Sequence, residues 1–276
     1  MNADTTPEAV EGSKMPLLDH LIELRQRMLK SVVALFVAFI VCFFFAEYLY
    51  AYLTQPLADI LASRRDDPRM IFTALTEVFF TYVKVAFFAG AFISCPIFLT
   101  QLWLFVAPGL YKKERHALLP FLAATPILFF IGGALVYYVI FPLAATFLIG
   151  FEVPRGEGVL AIELEAKVGE YLSLIMKLIF AFGLCFQLPV LMTLLARVGL
   201  ATSAGMAAKR KYAIVAVFVV AAVLTPPDPI SQISLAVPII LLYEISIYMA
   251  KMVERKKAKD EAEADEEEAG DDVTPS

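Results

Sequence analysis

Long apolar runs alternate along this chain with short breaks of charge or proline, and most of the runs are too long for the buried helices of a soluble domain. Six segments can be drawn, near residues 29–50, 77–107, 117–150, 168–196, 212–225 and 230–249. The pattern predicts an all-α integral membrane protein with six transmembrane helices. Residues 1–15 make a polar N-terminal tail and residues 16–250 the membrane domain. Residues 251–276 are rich in Lys, Ala and Glu without apolar periodicity, which predicts a charged, disordered tail. Segments two and three exceed the ~20 residues needed to span and contain Pro96, Pro126, Pro142, Gly132 and Gly133, so they are expected to tilt or kink. Segment five is different. It runs from Tyr212 to Thr225, about 21 Å at ~1.5 Å per residue against a ~30 Å core. Segment six reaches Glu244 just after Tyr243 and is polar at its start, with Ser231, Gln232 and Ser234. Helices five and six are both expected to be short and to thin the bilayer around them.

The charge of the breaks sets the expected orientation. Lys14 to Lys30, Lys112 to Arg115, Arg197 to Lys211 and Lys251 to Lys259 together carry 16 of the 23 Lys and Arg, which places these breaks and both termini on the cytoplasmic side. The other breaks mix Arg with Asp or Glu, or, at Thr225 to Pro229, hold no basic residue. In the outer loop Gln55–Thr76, the Thr76 hydroxyl is a candidate cap for segment two, with Glu77 in its first turn. The acidic stretch Glu152–Glu170 is expected to be partly helical.

Composition supports the membrane reading: 60% of the residues are hydrophobic, 18% are charged, and the mean hydropathy is +0.73. The net charge of −5 comes from nine acidic residues between Asp260 and Asp272, and the remainder is mildly basic. Cys42, Cys95 and Cys185 sit singly in apolar runs, so neither a disulfide framework nor a metal site is predicted. The first residues do not read as a cleavable signal peptide. The only histidines, His20 and His116, fall in cytoplasmic breaks, which argues against an intramembrane serine protease, and no phosphate-binding GxxxxGK loop is present. No catalytic residue, cofactor or nucleic-acid partner is predicted. A polytopic secondary transporter of a small solute remains an alternative.

Ahead of the first run stands His20-Leu-Ile-Glu-Leu-Arg-Gln-Arg27. As a helix it sets Leu17, Leu21, Leu24 and Met28 on one stripe and Asp19, Glu23, Gln26 and Arg27 on the other, a pattern suited to a membrane interface. Glu23 is a lone carboxylate among Arg25, Arg27 and Lys30. It can form an i,i+4 pair with Arg27 or receive a cationic ligand.

Four stretches resemble a known family. They are His20-Leu-Ile-Glu-Leu-Arg, Phe105-Val-Ala-Pro-Gly-Leu-Tyr-Lys-Lys-Glu-Arg115, Phe182-Gly-Leu-Cys-Phe-Gln-Leu-Pro189 and Leu224-Thr-Pro-Pro-Asp228. Together they resemble TatC, the receptor subunit of the twin-arginine protein translocase, from Leu17 to about Met249. The resemblance implies six helices in a cupped arrangement in the inner membrane of a bacterium. It implies binding of twin-arginine signal peptides of folded cargo, and assembly with TatA-like and TatB-like single-span subunits and further TatC copies. Transport would draw on the proton-motive force. It also implies that Glu23 and Glu114 receive the paired arginines through charge-assisted hydrogen bonds, with Arg25, Phe105, Tyr111 and Arg115 in the same signal-peptide site. Thr225 and Gln232 match a polar cluster for partner docking, whose third position is Ala222 here where Met is common. Pro56 and Asp228 match positions tied to assembly, and each also suits a turn or helix cap. Gln187 stands where the family commonly has Glu. It lies ten residues before Arg197, about 15 Å along a helix and so near mid-bilayer, and being an amide it cannot relay protons.

Overall fold

The structure, a computed structural model, describes residues 15–64, 69–106, 119–153, 160, 162–225 and 228–271, with backbone alone at 15–20, 106, 119–122 and 260–271. Its regular elements are helices. Among the described residues, five stretches are long and apolar enough to cross a membrane: Leu21–Phe44, Glu77–Phe105, Ala123–Ile149, Val168–Arg197 and Pro229–Lys259. By Cα proximity the chain divides into two compact units, Met1–Leu49 with Tyr82–Pro126, and Tyr50–Thr81 with Ile127–Ser276.

The first unit is built on α1 (Met15–Phe44) and most of α3 (Glu77–Val106). The stretch His20–Arg27 is continuous with the first span rather than a separate interfacial helix. Small residues bring the two helices together. Cys42 of α1 and Ala46, just past its end, meet Ala86 and Ala89 of α3, with Phe39, Leu49 and Tyr82 packed around them. A Cβ at Gly90 would lie 2.7 Å from the backbone nitrogen of Phe39, so only glycine permits this approach. The other face of α1 leaves Val33, Phe36, Val37 and Phe44 exposed, as a helix in contact with lipid requires.

The second unit contains most of α2 (Ala46–Ala62), the end of α4 (Leu119–Leu135), a π-turn at Val136–Ile140, α5 (Phe141–Ile149) and α6 (Val168–Cys185). The π-turn has a local cause. Pro142 cannot donate to the carbonyl four residues back and would collide with it, and widening the turn, so that the Phe141 amide donates to the Val136 carbonyl, relieves the clash without ending the span. Close crossing of α4 and α6 again depends on glycine. A Cβ at Gly132 would lie 2.7 Å from the Phe182 carbonyl oxygen, and one at Gly183 would lie 2.7 Å from the Phe129 ring. Phe129 and Phe182 are fully buried there.

Several expectations are revised. Pro56 lies buried inside α2, not in a turn of the outer loop. The Thr76 hydroxyl does not cap α3; the Glu77 carboxylate turns back to accept from the amides of Thr73, Ala74 and Gly169. The described part of Glu152–Glu170 is helical only from Val168, and Val153 and Ile162 instead exchange an antiparallel bridge.

The remaining helices are α7 (Leu188–Arg197), α8 (Ser203–Ala208), α9 (Arg210–Leu224) and α10 (Pro229–Asp271). At 15 residues, or about 22 Å, α9 falls short of a ~30 Å hydrocarbon core, as expected of segment five. Segment six is not short. It forms a 43-residue helix, in which Glu244 meets a two-bond fork from Arg210, Nε to Oε1 and Nη2 to Oε2, both 2.8 Å. The helix runs through the tail expected to be disordered, as far as Asp271. Ala, Glu and Lys are strong helix formers, and the absence of an apolar stripe says only that nothing packs on such a helix.

Candidate functional site

Glu23 is half-buried on α1, and its position is fixed by its own helix. Oε1 accepts from Arg27 Nε at 3.0 Å and from Nη2 at 2.6 Å, so the i,i+4 pair is formed. Arg27 reaches further, with Nη1 directed at Gln101 Oε1 of α3 at 3.4 Å. The pair is part-buried, the side chains being 22% exposed for Arg27 and 35% for Glu23. Both bonds fall on one carboxylate oxygen, and no described residue donates to Oε2. Arg25 is exposed on the same helix, between the two in sequence, and Phe105 is half-buried at the end of α3. Glu114, Tyr111 and Arg115 lie outside the described residues. Gln101 was missed from sequence; the signal available was a lone amide near the end of an apolar run.

A second group of residues gathers around α9 and α10. Asp228 is the N-cap of α10. Its Oδ1 accepts from the Ser231 amide at 2.7 Å, its carbonyl accepts from the Gln232 amide, and Pro229 occupies the first helical position, where no N–H is needed. Gln232 Nε2 crosses to the Phe218 carbonyl of α9 at 3.1 Å, one turn before exposed Ala222. Thr225 is turned inward. It is 8% exposed, donates its hydroxyl to the Ala221 carbonyl at 2.8 Å, and lines a mostly apolar cavity of about 360 Å³ with Leu57, Phe141, Leu148, Tyr171 and Leu235. The Thr225 hydroxyl and the Gln232 side-chain nitrogen are thus engaged within the chain, whereas Asp228 Oδ2 and Ser231 Oγ are buried with no partner among the described residues.

Gln187 lies at the break between α6 and α7, 6% exposed, where Pro189 interrupts the hydrogen-bond ladder and the Gln187 carbonyl accepts from the Leu191 amide. Pro56 has a comparable effect on α2. Without its N–H the Tyr52 carbonyl has no helical donor, and the Tyr137 hydroxyl supplies one at 2.6 Å. The two rings stack at 4.6 Å and 5°, Tyr52 and Tyr138 share a hydroxyl bond of 2.8 Å, and Tyr171 donates to the next carbonyl, Leu53, at 2.8 Å. The sequence did not flag these tyrosines, because adjacent Tyr137 and Tyr138 reach one partner only through the π-turn. Glu254 of α10 accepts from the amide and hydroxyl of Ser203, the first residue of α8, whose N-cap is Thr202. Among the described residues no group of three His, Cys, Asp or Glu is placed to hold a metal ion.

Comparison with known proteins is decisive at this point. Residues 19–238 match the family model described as Sec-independent protein translocase protein (TatC). The chain belongs to the TatC family. A TatC of Magnetococcus marinus is 51% identical over 94% of this chain and 92% of its own, and that of Escherichia coli is 39% identical over 86% and 88%. A crystal structure described as the twin arginine translocase receptor TatC superposes with a TM-score of 0.72 at 34% identity, covering 85% of this chain and 99% of that one. As a TatC-family protein, the chain is a multi-pass membrane component of a protein translocase and not an enzyme. The solute-transporter alternative falls with this result.

Proposed function

We propose that this TatC-family chain is the core receptor of a twin-arginine export system in the inner membrane of a bacterium. It binds the twin-arginine signal peptides of folded cargo and assembles TatA-like and TatB-like subunits, with further copies of itself, for transport driven by the proton-motive force. The observation that carries the reading is the Glu23 carboxylate, held part-buried on α1 where both Arg27 bonds fall on one oxygen and no described residue donates to the other. A guanidinium matches a carboxylate through two charge-assisted bonds, each contributing about 1.5–3 kcal/mol when desolvated and much less when wet. With Glu114 as a second acceptor, two carboxylates face two arginines. Arg25, Phe105, Tyr111 and Arg115 complete the site, and Thr225, Gln232 and Ala222 mark the edge where single-span partners dock. Both termini lie on the cytoplasmic side by the distribution of Lys and Arg.

The test is photocrosslinking of a twin-arginine signal peptide to membranes carrying Glu23→Gln, Glu114→Gln or both. Crosslinking and export should fall sharply in each single variant. Undiminished crosslinking and export in the double variant would overturn the assignment.

A further inference from the structure

We propose that the cavity of the second unit is a phospholipid site: one acyl chain fills it, an ester carbonyl accepts from the Ser231 hydroxyl, and an ammonium-bearing headgroup sits at its acidic rim. The site lies apart from Glu23 and does not rest on the signal-peptide reading. The described residues that line it all belong to the second unit, and its volume of about 360 Å³ falls in the range of ligand pockets, ~300–1,000 Å³. Its shape follows from two helices. α6 lines it with Glu170, Leu174 and Leu178, one stripe at four-residue spacing, and α5 does so with Phe141, Ala145 and Ile149. Each stripe runs about 12 Å at ~1.5 Å per residue, close to the ~15 Å depth of one leaflet in a ~30 Å core. Glu165, Lys167 and Glu170 make one end charged, and Lys167 meets Glu170 there at 3.5 Å. A slot one leaflet deep, apolar within and charged at one end, matches a lipid.

Ser231 supplies the polar contact. It is 3% exposed and lines the cavity, and its Oγ has no partner among the described residues. Thr54, Thr193, Thr225 and Ser246, also buried, each donate to the carbonyl four residues back. Ser231 stands in the first turn of α10, where the residue four back precedes the helix, so its own helix holds no acceptor for it. An unpaired hydroxyl in an apolar cavity is costly, and an ester carbonyl at the head of an acyl chain satisfies it while the chain covers Leu235, one turn further along α10. The rim sets the headgroup. Phosphatidylethanolamine can set its phosphate on Lys167 and its ammonium on Glu165 or Glu170, whereas phosphatidylglycerol brings no cation for the two carboxylates. This contact is exposed, so the preference is small, about two-fold. A partner span does not fit: a helix ~10–12 Å across and about 12 Å long has roughly three times the volume of the cavity.

The experiment reconstitutes the full-length protein in vesicles of phosphatidylethanolamine and phosphatidylglycerol that contain a trace of either lipid with a photoreactive diazirine on one acyl chain. Adducts are mapped by mass spectrometry, and those on Phe141, Leu174 and Leu178 are divided by those on Val33 and Phe36, exposed on α1. Ser231→Ala, which keeps the size of the side chain, should lower this ratio about two- to ten-fold, as expected for one hydrogen bond. Ala145→Phe, which fills the slot, should lower it further. The phosphatidylethanolamine probe should give the higher ratio by about two-fold, and Glu165→Gln with Glu170→Gln should remove the difference. Adducts confined to α1, or a ratio unchanged by Ser231→Ala and by Ala145→Phe, overturn the proposal. A ratio that falls in Ala145→Phe alone overturns the role of the hydroxyl, and equal ratios for the two probes overturn that of the rim. Loss of the slot adducts together with crosslinking of Phe141 or Leu178 to a single-span subunit would assign the cavity to a protein side chain and refute the lipid.

Discussion

Tyr137→Phe removes one hydroxyl and keeps the ring, so the stack on Tyr52 at 4.6 Å survives while the Tyr52 carbonyl loses its donor. That carbonyl has no alternative within its helix, because the residue four positions on is Pro56. An orphaned buried acceptor costs about 1–3 kcal/mol, and a part-buried bond such as this belongs near the lower end, about 1 kcal/mol. At ~2–4 °C per kcal/mol for a chain of this size, the single variant should unfold a few degrees lower. Pro56→Ala supplies an N–H to the same carbonyl. Its benefit should be larger in the Tyr137→Phe background than in the wild type, where the hydroxyl already serves, giving a coupling of about 0.5–1 kcal/mol between the two positions. A thiol-reactive dye on heating suits the assay, since Cys42 and Cys95 are buried and Cys185 is half-buried. The reasoning is refuted if Pro56→Ala changes the midpoint equally in both backgrounds. In that case the tyrosine and the proline act independently, and the short contact is incidental.

Three further outcomes are expected. Because an amide acts at Gln187 through hydrogen bonding and not charge, Gln187→Glu should retain substantial export, whereas Gln187→Leu should lower export without loss of signal-peptide binding; wild-type export by the Leu variant at matched protein levels would show the amide to be dispensable. Thr225→Val with Gln232→Leu should reduce the amount of single-span partner recovered on co-purification, because losing the Thr225–Ala221 and Gln232–Phe218 bonds loosens the α9–α10 edge, and unchanged recovery would move the docking edge elsewhere. Single cysteines at Pro226–Pro229 should label from outside the cell and those at Lys112–Arg115 only from within; the reverse pattern would invert the proposed orientation.

The fold was legible where apolar length alone decides it. The second, third and fourth segments could be drawn from hydropathy because a helix in lipid must satisfy its backbone internally over the whole thickness. Reading failed where a residue's partner is distant in sequence. Glu244 looked like the end of segment six because a lone carboxylate is costly in a membrane, and its partner Arg210 lies 34 residues earlier. Pro56 looked like a turn because proline normally ends a helix, and the hydroxyl that repairs the break belongs to Tyr137, 85 residues on from the carbonyl it serves. At the candidate site, spacing identified both Glu23 and its local pair with Arg27, since four residues is one helical turn. It could not show that both bonds fall on one oxygen, or that Gln101 waits behind the guanidinium, because these are facts of packing between α1 and α3. The Glu, Lys and Ala tail was misread for another reason: a missing apolar stripe removes the evidence for packing, not the propensity for helix.

The long α10 is clamped at four places, and their order along the rod has a mechanical consequence. The Gln232–Phe218 bond holds its first turns, and the Tyr243 hydroxyl on the Met206 carbonyl, the Arg210 fork at Glu244 and the Glu254–Ser203 contact hold it further on. Each clamp is directional, so twisting the rod by a single residue step of ~100° would break all four together. Pro238 falls between the first of these and the other three, and there the Ser234 carbonyl lacks its helical donor. Rotation is therefore locked between Gln232 and Glu254 while bending is cheapest at one joint. A load on the first turns of α10 is converted into a tilt about Pro238, and the far arm can carry that tilt to α8 through Glu254.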